Sequence, residues 1–230
     1  MIEKYNYEVN INDLVFRRAK KGDNYKELAR LIYQTDEYIY PYWFNNNIEE
    51  CEEFFKNKFD EEGFIFNYDN MYIAYNKKRK KILGLIIALD KSVNLNYDYS
   101  KIESINERYK ITINQYIKEI IKKAKMTNSL YIMNFTVLDG YRGKRIGTKL
   151  LGYFLSQMEL AGHKSYSLDC SLHNLRAKNL CHSLGFKEVM VTIRFDGTNH
   201  SNVEAVTFLR HKGNYLPKEF QQKQNYNDLY

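Results

Sequence analysis

One stretch limits the possible folds of this chain more than any other. Residues 138–151 read LDGYRGKRIGTKLL, which gathers Gly140, Gly143 and Gly147 with Arg142, Lys144, Arg145 and Lys149. An apolar run, LYIMNFTV at 130–137, stands before it. Behind it Ile146, Leu150, Leu151, Phe154, Leu155 and Met158 recur at helical spacing until Gly162 stops the period. The local order is therefore strand, glycine loop, helix. Such a junction presents unpaired backbone N–H groups at the positive end of a helix dipole. Gly143 and Gly147 would let the main chain approach a ligand that a Cβ holds off, and Arg142, Lys144 and Arg145 would neutralise its charge. Cations at a helix N-terminus oppose the dipole by about 0.3–1 kcal/mol each, so three of them make little structural sense without an anion. A phosphate-bearing ligand is the expectation.

Two common phosphate binders are excluded by order and spacing. A Walker A loop needs Gly-Lys followed by Ser or Thr, whereas Gly147, Thr148 and Lys149 reverse that order. The dinucleotide fingerprint spaces its glycines two and three apart, and here the spacings are three and four.

The rest of the chain supplies a frame for the loop. With 230 residues, 44% of them hydrophobic and 15% aromatic, it can bury one sizeable core. Neither Pro41 nor Pro217 sits in a linker-like stretch, and no internal repeat is visible. A short strand at 16–19 leads to a helix over GDNYKELARLIYQ, capped by Asp23 or Asn24, with Leu28, Leu31 and Ile32 facing in. An aromatic loop, TDEYIYPYWF, and a helix over 48–59 follow. Residues 71–75 and 82–89 read as a hairpin. The polar segment 91–127 reads as an insertion with a helix over 109–125. After the glycine loop come a strand at 165–170, a helix from Asn174 to Gly185, and strands at 189–195 and 203–209 joined through DGTNHSN. The expected organisation is a single domain over 1–212, with residues 213–230 a peripheral tail.

Charge and cysteine count narrow the setting. The net charge of +7 accompanies a general abundance of Lys, Asn and Ile, and it reads as composition more than as a polyanionic partner. The run KKRKK at 77–81 reads as a solvated hairpin tip, because no aromatic residues are interleaved for base stacking. Nucleic acid is not expected. Cys51, Cys170 and Cys181 are too few and too scattered for a disulfide framework. The first residues lack a signal-peptide apolar core, and no apolar run nears the roughly 20 residues that cross a bilayer. A cytoplasmic setting with no membrane partner is the expectation.

VLDGYRGKRIGTKLL followed by LDCSLHNLRAKNLCHSLGF resembles the GNAT superfamily of acetyl-CoA-dependent N-acetyltransferases. The family's pyrophosphate loop reads Arg or Gln, two residues, Gly, one residue, Gly or Ala. Arg142 and Gly147 match its ends, while Arg145 stands at the first glycine. Asn174, Ala177, Leu184, Gly185 and Phe186 match the second block. The likeness is strongest over 130–186, and the element order from 16 to 209 agrees with it. It implies an α+β fold: a bent, mostly antiparallel central sheet flanked by helices, whose one parallel strand pair, 130–137 and 165–170, splays apart. The resemblance further implies acetyl-CoA as co-substrate. Backbone groups of Phe135, Thr136 and Val137 would pair with the pantetheine arm. Arg142, Gly143, Lys144, Arg145, Ile146, Gly147 and Thr148 would take the pyrophosphate, with Asn174 beside them. Arg145 in a glycine position implies weaker or re-angled binding.

The implied chemistry is direct acetyl transfer to an amine in a ternary complex. Deprotonating a lysine-like or polyamine acceptor at pH 7 costs about 4.6 kcal/mol, against about 1–1.4 for a protein α-amine. Asp169, five residues before Asn174, is the candidate base, and a structural hydrogen-bond acceptor is the competing reading. Cys181 stands where the family usually has an acidic tyrosine, and a small core residue at helical spacing is its competing reading. Tyr38, Tyr40 and Trp43, with Asp36 attracting an ammonium, would form an acceptor wall, or the aromatics would merely pack the loop. The acceptor is a small-molecule amine, a lysine or a protein N-terminus, and monomer and homodimer stay equally open. A non-catalytic acyl-CoA sensor or docking module of this fold is the alternative. Cys170, His173, Cys181 and His182 do not carry zinc-ligand spacing, and no metal is expected. No nucleophile elbow supports a hydrolase.

Overall fold

The computed structural model describes residues 7–90, 116–122, 128–195 and 202–211. Seven strands among them form one sheet: β1 (Leu14–Arg18), β2 (Met71–Asn76), β3 (Lys81–Leu89), β4 (Leu130–Val137), β5 (Ser165–Ser171), β6 (Lys187–Phe195) and β7 (Asn202–His211). They lie in the order β1-β2-β3-β4-β5-β7-β6. Every neighbouring pair is antiparallel except β4 and β5, which are parallel. The helices are α1 (Tyr25–Tyr33), α2 (Ile39–Trp43), α3 (Ile48–Phe55), α4 (116–122), α5 (Ile146–Leu160) and α6 (Leu175–Ser183). This is the mixed, mostly antiparallel α+β architecture expected from the sequence. The turn at 196–201, the tail from 212 and the greater part of the 91–127 insertion lie outside the described residues.

Local chemistry explains the element ends. Asn24 caps α1 by accepting from the N–H groups of Lys26 and Glu27, and Leu28, Ala29, Leu31 and Ile32 are buried beneath it. Asp23, the other cap candidate, turns back to bind both Nη atoms of Arg17 at 2.8 and 2.5 Å. The first strand starts at Leu14, two residues before the expected position. The helix expected over 48–59 stops at Phe55, because Asn57 takes a φ of 65° that no helix accommodates. Phe59 nevertheless stacks on Phe55 with centroids 5.1 Å apart, so the apolar period continues through the turn. The aromatic loop contains an unexpected short helix, α2.

The sheet separates two cores. On one face α1 packs on α3 and over β3 and β4, in a cluster that includes Trp43 of α2 and Tyr116, Ile117 and Ile120 of α4. On the other face α5 lies over β2, β3 and β4, burying Leu150, Leu151, Phe154 and Leu155. At about 25 cal/mol per Å² of apolar surface, these faces dominate the favourable side of folding.

The parallel pair is short. β4 and β5 pair only from Leu130↔Tyr166 to Ile132↔Leu168, although β4 continues to Val137 and β5 to Ser171. On its other edge β4 stays with β3 up to Gly84↔Val137. A bulge there places Ile87 opposite Asn134 and Ala88 opposite Ile132, which leaves Met133 as the extra residue. The bulge and the end of pairing coincide, and β4 and β5 part at that point.

Candidate functional site

The loop 138–145 leaves β4 still attached to the sheet, with Leu138 N–H bonded to Leu83 O at 2.9 Å and Tyr141 N–H to Leu138 O at 3.0 Å. Gly143 takes a φ of +80°, and a Cβ there would meet nothing within 4 Å. Its left-handed backbone, not crowding, is what calls for glycine. Arg145 occupies the same region, with φ 61° and ψ 9°, immediately before α5. The arginine thus keeps the conformation that a glycine would take, and its side chain is exposed. It provides no hydrogen bond to the helix, so the first turn of α5 has no side-chain cap. An uncapped first turn, a left-handed residue and the cations Arg142, Lys144 and Arg145 stand together at this junction, a combination whose electrostatics favour an anion.

Gly147 has a packing role that the sequence reading did not include. A Cβ there would stand 3.3 Å from Leu180 Cδ1 and Phe135 Cζ and 3.4 Å from Val137 Cγ2. The close approach it permits is between α5, β4 and α6, within the protein itself. Arg142 also has local partners: its Nε donates to Val137 O at 3.0 Å, and its Nη1 lies 3.1 Å from Asp139. It clasps the base of the loop. From outside, Tyr141 is buried, stacks on Tyr7 at 5.0 Å and accepts from Arg79 Nη1 at 3.3 Å. Arg79 Nη2 further donates to Glu8 O at 3.0 Å. One cation of the run read as a solvated tip therefore braces the glycine loop, a contact across 62 residues of chain with no local sequence signal.

At the mouth of the parting strands, Asp169 is the first residue of β5 beyond its last pair with β4. Tyr131 Oη donates to Asp169 Oδ2 at 3.2 Å, and Thr207 Oγ1 donates to Oδ1 at 2.7 Å. Both carboxylate oxygens are thereby oriented, and the carboxylate stays half-buried. Side chains alternate along β5, with Tyr166, Leu168 and Cys170 in the α5-side core, so Asp169 faces the α1–α4 side with Tyr131. Phe135 and Val137 pack toward α5, whereas Thr136 accepts from Gln34 of α1 at 3.5 Å.

The other candidates are dispersed. Cys181 is 1% exposed in the α5-side core, where burial, and secondarily Cys170, push its thiol well above the usual range. It lies across the sheet from Asp169, and the two do not meet. Asn174 caps α6, accepting from Ala177 N–H at 3.0 Å. Asp36 accepts from the N–H groups of Tyr38 and Ile39 at 2.9 and 3.0 Å and so anchors the start of α2. Of the expected aromatic wall only Tyr38, 51% exposed, faces solvent; Tyr40 and Trp43 are core residues at 0% and 3%. The short helix explains this, since it turns Ile39, Tyr40 and Trp43 inward together. Tyr40 Oη accepts from Asn134 Nδ2 at 2.8 Å, and burial raises its phenol well above the ordinary value. Tyr131, Thr207, Asn134 and Arg79 are the site residues that sequence reasoning did not find.

A family model described as the acetyltransferase (GNAT) family matches residues 32–186. No curated protein matches the chain. Among solved structures the fold is similar to an N-acetyltransferase from Staphylococcus aureus Mu50, with 20% identity and a TM-score of 0.59 over 85% of this chain and 99% of that one. A spermidine N-acetyltransferase SpeG mutant from Vibrio cholerae matches 90% of this chain and 99% of its own, with 16% identity and a TM-score of 0.54. A chain of the NatC complex bound to Gag peptide and CoA matches 86% and 98%, with 16% identity and a TM-score of 0.50. At these identities the likeness establishes the fold. No described helix is long and apolar enough to cross a membrane.

Proposed function

The chain belongs to the acetyltransferase (GNAT) family, and from that premise we propose that it transfers an acetyl group from acetyl-CoA to a primary amine, with both substrates bound where β4 and β5 part. The observation that carries this reading is the end of strand pairing at Ile132↔Leu168, on the same strand that leads through the glycine loop to an uncapped helix start flanked by cations. The residues present fit the coenzyme. The β4 backbone over 133–137 has no β5 partner, and a strand edge of that kind pairs with an amide-bearing arm. Phe135, Thr136 and Val137 would hold the arm, and Gly143 to Thr148 with Arg142 and Lys144 would hold the pyrophosphate. The coenzyme supplies an activated acyl group as its thioester.

The chain's own residues prepare the amine. Asp169 takes the proton that an ammonium acceptor must lose, and Tyr131 and Thr207 keep its carboxylate aimed into the mouth. The more basic the acceptor, the more this matters, given the roughly 4.6 kcal/mol cost at pH 7 for a lysine-like amine. Cys181 serves packing in this scheme, and Asn174 serves α6.

The test is thiol release from acetyl-CoA over a panel of polyamines, amino acids and peptide N-termini, with Asp169→Asn beside the unaltered protein. Turnover is expected to fall by about 10²–10⁴ in the variant while coenzyme affinity holds. Tight coenzyme binding without release on any acceptor would instead favour a non-catalytic acyl-CoA sensor.

A further inference from the structure

A cavity of about 210 Å³ opens where the turn before α1 meets the chain that follows α3. Tyr25, the first residue of α1, lines it, while Gln34 at the other end of that helix reaches Thr136 on β4. The nine residues of α1, about 13 Å of helix, separate the two, so the cavity is no part of the mouth between β4 and β5.

Two left-handed residues shape it. Gly22, with φ 93°, turns the chain into α1, and Asn57, with φ 65°, turns it out of α3. The second turn folds Phe59 back onto Phe55, and Tyr68 N–H then donates to Phe59 O at 2.9 Å. Phe59 is buried with the Tyr68 ring 5.5 Å from it, and with Tyr25 they give the cavity aromatic walls.

The charges at the rim are unequally held. Asp23 is committed: Arg17 binds both its oxygens at 2.8 and 2.5 Å, and Lys20 N–H donates to it at 2.9 Å. Asp60 pairs with Lys21 Nζ at 2.8 Å, where the lysine side chain is 85% and the aspartate 44% exposed. An exposed pair of that kind is weak, and ligand charges replace it at little cost. Burial, then Asp60 and Asp23, raise the Tyr68 phenol, so its hydroxyl stays protonated within the field of both carboxylates. Asn57, whose amide both donates and accepts, completes the polar rim.

Charge balance and size select the ligand. A lone ammonium would take Asp60 and leave Lys21 unpaired beside it, and a lone carboxylate would do the reverse. A molecule that carries both on one carbon engages both side chains and strands neither. It must also be small, since sites for drug-sized ligands run to about 300–1,000 Å³. We infer that this cavity binds a free α-amino acid with an apolar side chain: its ammonium on Asp60, its carboxylate on Lys21, and its side chain against Phe59, Tyr68 and Tyr25. The site is one of binding, with no transfer step, and it stands apart from the acetyltransferase reading.

Calorimetry on the full chain without coenzyme tests this with L-leucine, L-methionine and L-phenylalanine. Each is measured beside its analogue without the ammonium and its analogue without the carboxylate, which for leucine are 4-methylpentanoate and isoamylamine. At least one of the three amino acids is expected to bind one to one, and both its analogues about fivefold or more weakly. Lys21→Met and Asp60→Asn should each weaken it by about the same factor, with ligand-free melting temperatures within about 2 °C of the unaltered protein. Asp169→Asn should leave the affinity unchanged. Heat from none of the three, an analogue that binds as well as its amino acid, or an affinity that both rim variants keep would each overturn the inference. Loss of that affinity in Asp169→Asn alone would overturn it as well, by making the amino acid an acceptor at the mouth. No readout here uses acetyl transfer, so failure of the transferase reading leaves a positive result standing.

Discussion

Replacing Arg145 by glycine and by alanine separates backbone strain from charge at the glycine loop. Arg145 sits at φ 61° and ψ 9°, and the left-handed region costs an L-residue with a Cβ roughly 1–2 kcal/mol. Glycine removes that cost but loses about 0.4–1 kcal/mol more on folding, because its unfolded chain is freer. The difference is a gain of about 0.5–1 kcal/mol. Either substitution also removes an exposed cation from the positive end of the α5 dipole, which adds about 0.3 kcal/mol. Arg145→Gly should therefore stabilise the protein by about 1 kcal/mol, a rise of about 2–4 °C in Tm for a chain of this size. Arg145→Ala keeps the strain and should move Tm by no more than about 1 °C. Thermal unfolding followed by circular dichroism, without coenzyme, measures both. If the coenzyme binds as proposed, acetyl-CoA affinity moves the other way: each variant loses one cation beside the pyrophosphate site, so calorimetry should show equal weakening that shrinks with added salt. Equal melting temperatures for the glycine and alanine variants would refute the strain argument, and a less stable glycine variant would refute it more directly.

Two further outcomes test the packing. Arg210, fully buried, donates to Glu159 at 2.6 Å and to Leu184 O at 2.9 Å, tying α5, the end of α6 and β7 together. Glu159→Gln removes one carboxylate charge that faces this buried guanidinium, and denaturant unfolding should show a loss of about 2–4 kcal/mol; a loss under 1 would mean that solvent already screens the pair. The thiols of Cys51 and Cys181 are both raised chiefly by burial, so in the folded state they stay protonated after the unfolded chain has begun to ionise near pH 8.5. The unfolded state then binds fewer protons, and stability should fall by roughly 1.4 kcal/mol per pH unit per thiol above that pH. Cys51→Ala with Cys181→Ala should flatten this slope in unfolding curves at rising pH.

Elements governed by neighbouring residues were legible. The Asn24 cap, the helix facing Leu150 and Phe154 inward, and the hairpin of β2 and β3 follow from side-chain chemistry that acts within one or two turns. Asn57 and the short helix α2 were not, because a left-handed asparagine and a five-residue helix leave almost no periodic trace. The core aromatics of TDEYIYPYWF misled for a related reason. Composition marks them as apolar and adhesive, but only packing decides whether such a residue lines a cleft or fills a core, and Tyr40 and Trp43 fill the core.

By itself the sequence determined the strand–loop–helix junction at 130–160, the left-handed backbone that Gly143 makes easy, and the cations gathered around it. Backbone freedom, helix dipoles and apolar period are all local quantities, so adjacent residues settle them. Tertiary structure alone decided which side chains share the mouth. One extra residue at Met133 reverses the side-chain alternation of β4 and turns Asn134 toward Tyr40, while pairing that ends at Ile132↔Leu168 sets Asp169 between Tyr131 and Thr207. Strand register depends on partners far away in the chain, and a one-residue shift moves every side chain to the opposite face.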